Sequence, residues 1–294
     1  MRARSRGVGG CRIPSCEKVI EMNERLDYEA VRSYWDRTAG TAAAASYMAH
    51  EQGLPQSCVD DRFALERKVV ERWFANLGAD ASVLDVGCGS GAWSGLFAQR
   101  YGRVVGIEQS ANMVTNARER LRDMANVEIV QGDCLQVPVE GTFQGAFFGG
   151  LLMYLNREDA VRLLARVAEL VPNGPIILRE SSGLGRVEVK TGEYQVAYRS
   201  PEEYSDIAAE AGLRVREVEQ NRGYARMEVA VNLVDLVRRL PMLKRRDPAL
   251  VGVPLWRVLR ATSPVSLDLV PRAIRRAGVA WPHLSNNFML LEHS

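Results

Sequence analysis

The residues with the clearest chemical content form one short segment, Val-Leu-Asp-Val-Gly-Cys-Gly-Ser-Gly-Ala-Trp-Ser, at residues 83–94. Its apolar start predicts a buried parallel strand that carries a carboxylate, Asp85, near its end. Gly87, Gly89 and Gly91 then allow a tight turn and the close approach of a ligand to bare backbone. A helix that starts directly afterwards points its free N–H groups and positive dipole end at this loop. The arrangement predicts a site for a nucleotide-like ligand.

The stretch from Asp85 to Gly91 resembles motif I of the class I S-adenosylmethionine-dependent methyltransferases, written as a hydrophobic pair and then D/E-x-G-x-G-x-G. It matches that pattern at every fixed position. The resemblance extends over about residues 80–220 and the last strand. It implies S-adenosylmethionine as the cofactor and S-adenosylhomocysteine as the product. A buried carboxylate needs a partner, and the ammonium group of the cofactor's methionine half would be one, whereas a pyrophosphate would be repelled.

The same resemblance implies cofactor contacts beyond the glycine turn. Glu108 ends the second predicted strand, where a carboxylate can accept both ribose hydroxyls at once. Asp133 follows the third strand and would accept from the adenine amino group, and the backbone of Cys134 would reach a ring nitrogen. Met113 would pack on the adenine ring. The remaining predicted cofactor contacts are Asp85, Gly87, Cys88, Gly89, Gly91, Gln109 and Gly149.

The residues that would meet the methyl acceptor are predicted from their positions at strand ends. Glu180 ends the fifth strand, and Tyr198 and Arg199 precede the next helix, so these three are the candidate catalytic residues, with Glu180 as a possible general base. Arg179 would bind a substrate carboxylate with its planar guanidinium. An internal network of Arg179 and Glu180 without a catalytic role stays open. The predicted substrate contacts are Tyr34, Tyr47, Tyr154 and Arg179.

The favoured function is methyl transfer to a small metabolite, at an amine, thioether or hydroxyl group of an amino-acid-like or specialised compound. Three alternatives stay open. Gly87, Gly89 and Ala92 loosely satisfy the dinucleotide pattern G-x-G-x-x-A, which would suit an NAD-dependent oxidoreductase. A regulatory or scaffold protein could bind the cofactor without turnover. A membrane-associated lipid methyltransferase could dock through residues 222–283.

Composition sets the broad class of the protein. The 294 residues are 47% hydrophobic and 25% charged, as in globular proteins. The net charge of +2 gives no reason to expect a nucleic-acid partner. Five cysteines without zinc-type spacing and three dispersed histidines predict a reduced, cytoplasmic protein without a structural metal. No apolar run approaches the ~20 residues of a membrane span. The sequence indicates no particular oligomeric state.

The order of the predicted elements favours an α/β fold with a doubly wound, mostly parallel seven-stranded sheet, of the Rossmann-like methyltransferase type, under a helical cap. The resemblance implies that the last strand is antiparallel. Predicted strands lie near 82–86, 103–107, 126–130, 143–149, 175–180, 213–218 and 288–292. Predicted helices lie near 91–101, 111–124 and 157–171, and a further one follows Ser200.

Composition and pattern divide the chain into four regions. We expect a disordered tail at 1–21, with Met22 as an alternative start. The other expected regions are a helical cap at 22–80, a methyltransferase core at 81–221 with 284–294, and a basic helical insertion at 222–283.

The insertion holds twelve basic and four acidic residues, which gives it a net charge of +8. Apolar residues from Leu233 to Leu240 beside basic ones suit an amphipathic helix at a membrane surface. Because a solvated charged face, an active-site cover or a dimer interface would also fit, membrane contact is possible but not favoured. In the cap, Arg62 and Glu66 are spaced i,i+4, as in a surface ion pair.

Overall fold

The computed structural model describes residues 25–39, 53–183, 187–240, 242, 246–263, 265–279, 281–282 and 284–294. The tail predicted at 1–21 and the predicted substrate contact Tyr47 lie outside the described residues.

A seven-stranded sheet forms the centre of the molecule. Its strands are β1 (Ser82–Val86), β2 (Arg103–Glu108), β3 (Val127–Gln131), β4 (Gly145–Phe148), β5 (Ile176–Ser182), β8 (Leu213–Gln220) and β9 (Ser285–His293). Two further strands, β6 (Glu188–Lys190) and β7 (Val196–Tyr198), form a separate short hairpin. The sheet order is β3-β2-β1-β4-β5-β9-β8. β1 to β5 pair in parallel, and β9 is antiparallel to both of its neighbours. Chain order reverses between β1 and β4, which is where ligands bind in open α/β sheets.

Helices cover both faces of this sheet and form the insertion. They are α1 (Tyr28–Ala39), α2 (Gln56–Trp73), α3 (Ala92–Ala98), α4 (Ala111–Arg120), α5 (Arg157–Leu170), α6 (Pro201–Glu210), α7 (Arg222–Arg238), α8 (Ala249–Ala261) and α9 (Val270–Arg276). Three of them begin at a polar N-cap whose side chain accepts a backbone N–H of the first turn: Ser110 for α4, Ser200 for α6 and Asn221 for α7.

Alternation along β1 explains why its sequence is almost entirely apolar. Leu84 packs on one face of the sheet, in a cluster that includes Leu163 of α5. Val83 packs on the other face, with Val70 of α2 and Phe97 of α3. Because successive side chains of a strand point to opposite faces, a strand covered on both sides needs apolar residues at both.

The fold class predicted from the sequence is confirmed, including the antiparallel last strand. The principal differences lie at element boundaries. The hairpin of β6 and β7 was not predicted, because three-residue strands are too short to show a period of two. β9 begins at Ser285, ahead of the predicted 288, and α4 ends at Arg120 rather than at 124.

The insertion between β8 and β9 contains helices, but α7 is not the amphipathic surface helix that its sequence suggested. Val234 is fully buried, and Leu233 and Val237 pack against the same cluster, which also holds residues of α2 and α8. Only Leu236 and Leu240 of the predicted apolar face are exposed, at 58% and 56%. This apolar surface is therefore used to attach the insertion to α2. No helix within the described ranges is long and apolar enough to cross a membrane.

Candidate functional site

A cavity of about 1650 Å³ opens at the carboxyl ends of the parallel strands. We divide it into two halves. The turn half is lined by residues 85, 87–92, 107–109 and 131–135, which lie at or after the ends of β1, β2 and β3. The aromatic half is lined by side chains from α1, α2, α7, β5, the turn after β4 and the hairpin of β6 and β7. These are Tyr34, Trp35, Arg62, Tyr154, Arg179, Tyr194, Tyr198 and Tyr224.

The glycine turn gives a ligand access to backbone. Gly87, Gly89 and Gly91 all have positive φ, at 71°, 54° and 77°. A Cβ added at Gly89 would meet no heavy atom within 4 Å, so this position faces open space in the cavity. A Cβ at Gly91 would lie 2.8 Å from Cδ1 of Leu121. Gly89 therefore leaves room for a ligand, whereas Gly91 allows α3 to pack closely against the end of α4.

Two acids are fixed beside this turn. Asp85 is 1% exposed, and its Oδ2 accepts a hydrogen bond from Oγ of Ser94 at 2.6 Å. Burial raises the pKa of Asp85 to about 7. The Glu108 carboxylate accepts backbone N–H groups of Gly89, at 3.0 Å, and Ser110, at 2.8 Å, and burial raises its pKa as well. Both carboxyls lose hydration, so a cationic or hydroxyl-rich ligand would stabilise their charged forms.

The rest of the turn half is lined by the other predicted cofactor residues. Asp133 accepts the backbone N–H of Leu135 at 2.9 Å, which leaves its second oxygen for a ligand. The Met113 side chain is 3% exposed, and burial raises the pKa of Cys134 to about 12. All eleven predicted cofactor-contact residues line the cavity: Asp85, Gly87, Cys88, Gly89, Gly91, Glu108, Gln109, Met113, Asp133, Cys134 and Gly149.

Ring contacts join the side chains of the aromatic half. The ring of Tyr194 lies 5.1 Å from that of Tyr34 and 6.0 Å from that of Tyr154, and the Tyr154 and Tyr194 hydroxyls are 3.0 Å apart. Trp35 packs edge-on against Tyr154 at 5.4 Å. Burial raises the pKa of Tyr154 and of Tyr198, so both phenols are neutral at ordinary pH. These residues form apolar walls with hydroxyl groups that hydrogen-bond.

Four residues of this half were missed as site residues from the sequence: Trp35, Arg62, Tyr194 and Tyr224. The predicted contacts Tyr34, Tyr154, Arg179 and Tyr198 do line the cavity. The one available signal for Tyr194 was its position four residues before Tyr198, in a long connection between β5 and α6.

The structure corrects the prediction of Glu180 as a general base. Its side chain is fully buried, and its two oxygens accept the backbone N–H groups of Leu151 at 2.9 Å, Leu152 at 3.0 Å and Met153 at 3.3 Å. Burial raises its pKa to about 7. Because side chains alternate along β5, Arg179 and Ser181 reach the cavity and Glu180 points to the other face. Glu180 holds the turn after β4.

Arg199 has the same kind of role, which also corrects its prediction as a candidate catalytic residue. It is 3% exposed and donates to the carbonyl oxygens of Leu152, at 2.8 Å, and Leu155, at 2.6 Å. Together, Glu180 and Arg199 hold the N–H and C=O groups of one turn. That turn carries Tyr154 into the aromatic half.

The expected surface pair of Arg62 and Glu66 is instead buried at the inner end of the aromatic half. The two side chains are 11% and 0% exposed, with Nε of Arg62 3.6 Å from Oε1 of Glu66. The same oxygen accepts from Nδ2 of Asn221 at 2.7 Å and lies 3.4 Å from Nη1 of Arg179. Nη2 of Arg179 donates to the carbonyl oxygen of Gly149. We name Arg62, Glu66 and Arg179 the arginine network.

No group of three or more His, Cys, Asp or Glu side chains among the described residues is arranged to hold a metal ion.

Comparisons with known proteins agree with this geometry. Residues 83–174 match the family model of a methyltransferase domain. The chain is 39% identical over 99 residues to the 2-phytyl-1,4-naphtoquinone methyltransferase of Thermosynechococcus vestitus, a match that covers 32% of this chain and 43% of that protein. The chain thus spans less than half the length of the first curated relatives it matches.

Two solved structures share the fold. The 1,6-didemethyltoxoflavin-N1-methyltransferase of Burkholderia thailandensis is 14% identical, with 91% of this chain and 88% of that chain covered and a TM-score of 0.55. The [4+2]-cyclase SpnF is 16% identical, with 79% and 81% covered and a TM-score of 0.52. The fold therefore serves more than one chemistry, and the function has to be argued from the site.

Proposed function

We propose that this chain, which carries a class I methyltransferase domain, transfers a methyl group from S-adenosylmethionine to a small molecule. The observation that carries the proposal is the continuous cavity, which joins an acid-lined glycine turn to an aromatic half. A cofactor bound along the turn half would direct its reactive end towards the aromatic half. The proposed acceptor group is an amine, a thioether or a hydroxyl of a metabolite, since a cavity with aromatic walls suits a compact molecule.

The turn half fits the proposed cofactor. The open space at Gly89 allows a ligand to lie against backbone. Backbone N–H groups fix the Glu108 carboxylate and leave oxygen lone pairs for two ribose hydroxyls. Asp85 would accept the ammonium group of the methionine half, and Asp133 the adenine amino group. Three carboxyls on this side favour a cationic ligand over a pyrophosphate.

S-Adenosylmethionine supplies an electrophilic methyl group on a sulfonium. The protein therefore needs to position the acceptor and exclude water more than it needs to activate the methyl group. The walls formed by Tyr34, Tyr154 and Tyr194 would exclude water and hold the acceptor in line. The backbone of Gly149, in contact with Arg179, would border the path between the two ligands. These are tasks of orientation, for which the rigid turn held by Glu180 and Arg199 is suited.

We do not propose a general base at Glu180 or Arg199, since both side chains are used by backbone groups. Tyr198 lines the cavity, but its raised pKa keeps the phenol protonated. Its role in this proposal is to donate a hydrogen bond to the acceptor or to accept one from it.

The cellular setting is a separate part of the proposal. We propose a cytoplasmic location, supported by the free thiols of Cys58, Cys88 and Cys134, since cytosolic proteins keep their cysteines reduced.

Incubation of the purified protein with cell extract and S-adenosylmethionine carrying a deuterated methyl group tests the activity. Mass spectrometry should detect a small metabolite that gains the labelled methyl, and the gain should be absent with the Gly89→Val variant. Binding of the cofactor without labelling of any metabolite would overturn methyl transfer and favour another chemistry on the same fold.

A further inference from the structure

The arginine network lies on the acceptor side of the cavity. Arg179 belongs to β5, and its neighbours Ser181 and Asn286 lie on β5 and β9 and also line the cavity. In the sheet order, β4 separates these two strands from β1, which leads into the glycine turn. A ligand group at the network would lie beside the aromatic walls, next to the point where Arg179 contacts the backbone of Gly149.

The network has an excess of positive charge. Two guanidinium groups contact one carboxylate, that of Glu66, and the side chains of Arg62, Glu66 and Arg179 are 11%, 0% and 14% exposed. Asp85 and Glu180 also lie near Arg179, whose charge lowers the pKa of both, while their own hydrogen bonds come from Ser94 and from backbone N–H groups. Two guanidinium groups that line one cavity can both donate hydrogen bonds to an anionic ligand group, so the site is suited to bind an anion.

The Arg179 guanidinium is held in place and still has donor capacity. Two of its nitrogens are fixed by Gly149 and Glu66, while its buried Nε has no hydrogen-bond partner among the described residues. Nη1 and Nη2 each carry a second N–H, and a guanidinium fixed in this way can bind a carboxylate with little loss of entropy. The adjoining walls carry flat rings, among them Tyr34 and Tyr154.

We propose that the methyl acceptor is an aromatic acid whose carboxylate binds to Arg62 and Arg179 while its ring lies against the tyrosines of the aromatic half. This inference rests on the proposed function and names its substrate class. A carboxylate could also come from the methionine half of the cofactor. The position of the network on β5 and beside β9 favours the acceptor, and bound S-adenosylmethionine, with a net positive charge, would strengthen the attraction for an anion.

Calorimetric titration of the protein saturated with S-adenosylhomocysteine tests the inference. The probes are two matched pairs, 4-hydroxybenzoate with 4-hydroxybenzamide and 1-hydroxy-2-naphthoate with 1-hydroxy-2-naphthamide. The acid of at least one pair should bind about tenfold or more tightly than its amide. Arg179→Gln should reduce that preference to below about threefold. Glu66→Gln should increase it, because it removes the competing negative charge.

A second arm identifies the source of the carboxylate. S-Adenosylhomocysteine and 5′-methylthioadenosine differ by the amino-acid end, so their affinity ratio reports contacts with the cofactor's own carboxylate. This ratio should stay within about threefold of wild type in Arg179→Gln. A collapse of the ratio would assign Arg179 to the cofactor and overturn the inference.

The other outcomes of these titrations distinguish failure of the aromatic-acid inference from failure of the proposed function. Equal binding of acid and amide in both pairs, or weaker binding of the acid by Glu66→Gln, would overturn the aromatic-acid inference while leaving methyl transfer intact. Glu66→Gln acts in the opposite direction from Arg179→Gln, so general damage to the fold cannot produce the full pattern. Failure of the wild-type protein to bind S-adenosylhomocysteine at all would instead overturn the proposed function.

Discussion

The two halves of the cavity are built in different ways. In the turn half, Asp85 lies near the end of β1, Glu108 ends β2 and Asp133 follows β3, and parallel pairing of β1 with β2 and β2 with β3 brings the three acids together. In the aromatic half, side chains come from α1, β7 and the turn after β4, which are far apart in sequence. The first half follows from strand order alone, whereas the second depends on tertiary packing.

The acidic and basic residues at strand ends have different roles in the two halves. Asp85 and Glu108 line the cavity, but Glu180 and Arg199 bind the backbone of residues 151–155. In the aromatic half, Glu180 and Arg199 thus hold a turn that carries Tyr154. Variants of Asp85 and Glu108 should therefore lower ligand affinity, whereas variants of Glu180 and Arg199 should lower the stability of the fold.

The largest loss of cofactor affinity is expected from Gly89→Val. A side chain at this position fills the space through which a ligand reaches the backbone, and φ of 54° is unfavourable for valine. We expect the affinity for S-adenosylhomocysteine, measured by calorimetry, to fall by about 100-fold or more.

Gly212→Val is the matched control. Gly212 has φ of 78°, and an added Cβ there also meets no heavy atom within 4 Å, but the residue follows α6 outside the cavity lining. The two variants should lose similar stability, roughly 1 kcal/mol, and only Gly89→Val should lose binding. Equal affinities in the two variants would contradict the assignment of the turn half.

Glu108→Gln should have the next largest effect. The amide cannot accept two ribose hydroxyls and two backbone N–H groups as the carboxylate does, and charge-assisted hydrogen bonds contribute roughly 1.5–3 kcal/mol each. The affinity for S-adenosylhomocysteine should fall by about 10- to 100-fold. The control is Glu128→Gln on β3, a 61% exposed side chain paired with Arg103, which should leave affinity unchanged.

Glu180→Gln should act on stability rather than on ligand binding. An amide oxygen satisfies the three backbone N–H groups less well than a carboxylate, so denaturant unfolding should show a loss of about 1–3 kcal/mol. Transfer of the labelled methyl per folded molecule should change by less than about threefold. A large loss of transfer with unchanged stability would instead assign Glu180 to the chemistry.

The smallest effect is a pH dependence that belongs to the turn half. Burial raises the pKa of Asp85 to about 7, and the ionised carboxylate is the form that would bind the ammonium group of the ligand. Lowering the pH from about 8 to about 6 should therefore weaken S-adenosylhomocysteine binding by up to about tenfold. Asp85→Asn should bind more weakly and show a flat profile over this range. A wild-type profile as flat as that of the variant would separate Asp85 from the ligand.

The raised pKa of Asp85 also predicts how the stability of the ligand-free protein depends on pH. Because the native Asp85 and Glu180 carboxyls keep their protons to higher pH than they do in the unfolded chain, they lower the free energy of unfolding as the pH rises from about 4 to about 7.

Sequence reasoning captured the parts of the molecule in which local pattern determines position. The apolar strands, the helix that starts after Ser200 and the glycine turn each specify their own conformation. Sequence reasoning failed where a side chain contacts residues that are distant in sequence. The i,i+4 spacing of Arg62 and Glu66 could not show that Asn221 and Arg179 would bury them.

Glu180 illustrates a second limit. Its type and its place near the end of β5 were compatible with a base, but the face it occupies depends on which residues of the strand pair with β9. A shift of one residue along a strand exchanges the two faces, so an uncertainty of one position is enough to exchange Arg179 and Glu180.

A pair of calorimetric titrations tests the central claim, that the turn half binds the nucleoside and amino-acid parts that S-adenosylmethionine and S-adenosylhomocysteine share. Wild-type protein is titrated with S-adenosylhomocysteine and, separately, with NAD. The account predicts binding of one S-adenosylhomocysteine per chain, lost in Gly89→Val, and no measurable binding of NAD. Binding of NAD without binding of S-adenosylhomocysteine would contradict it.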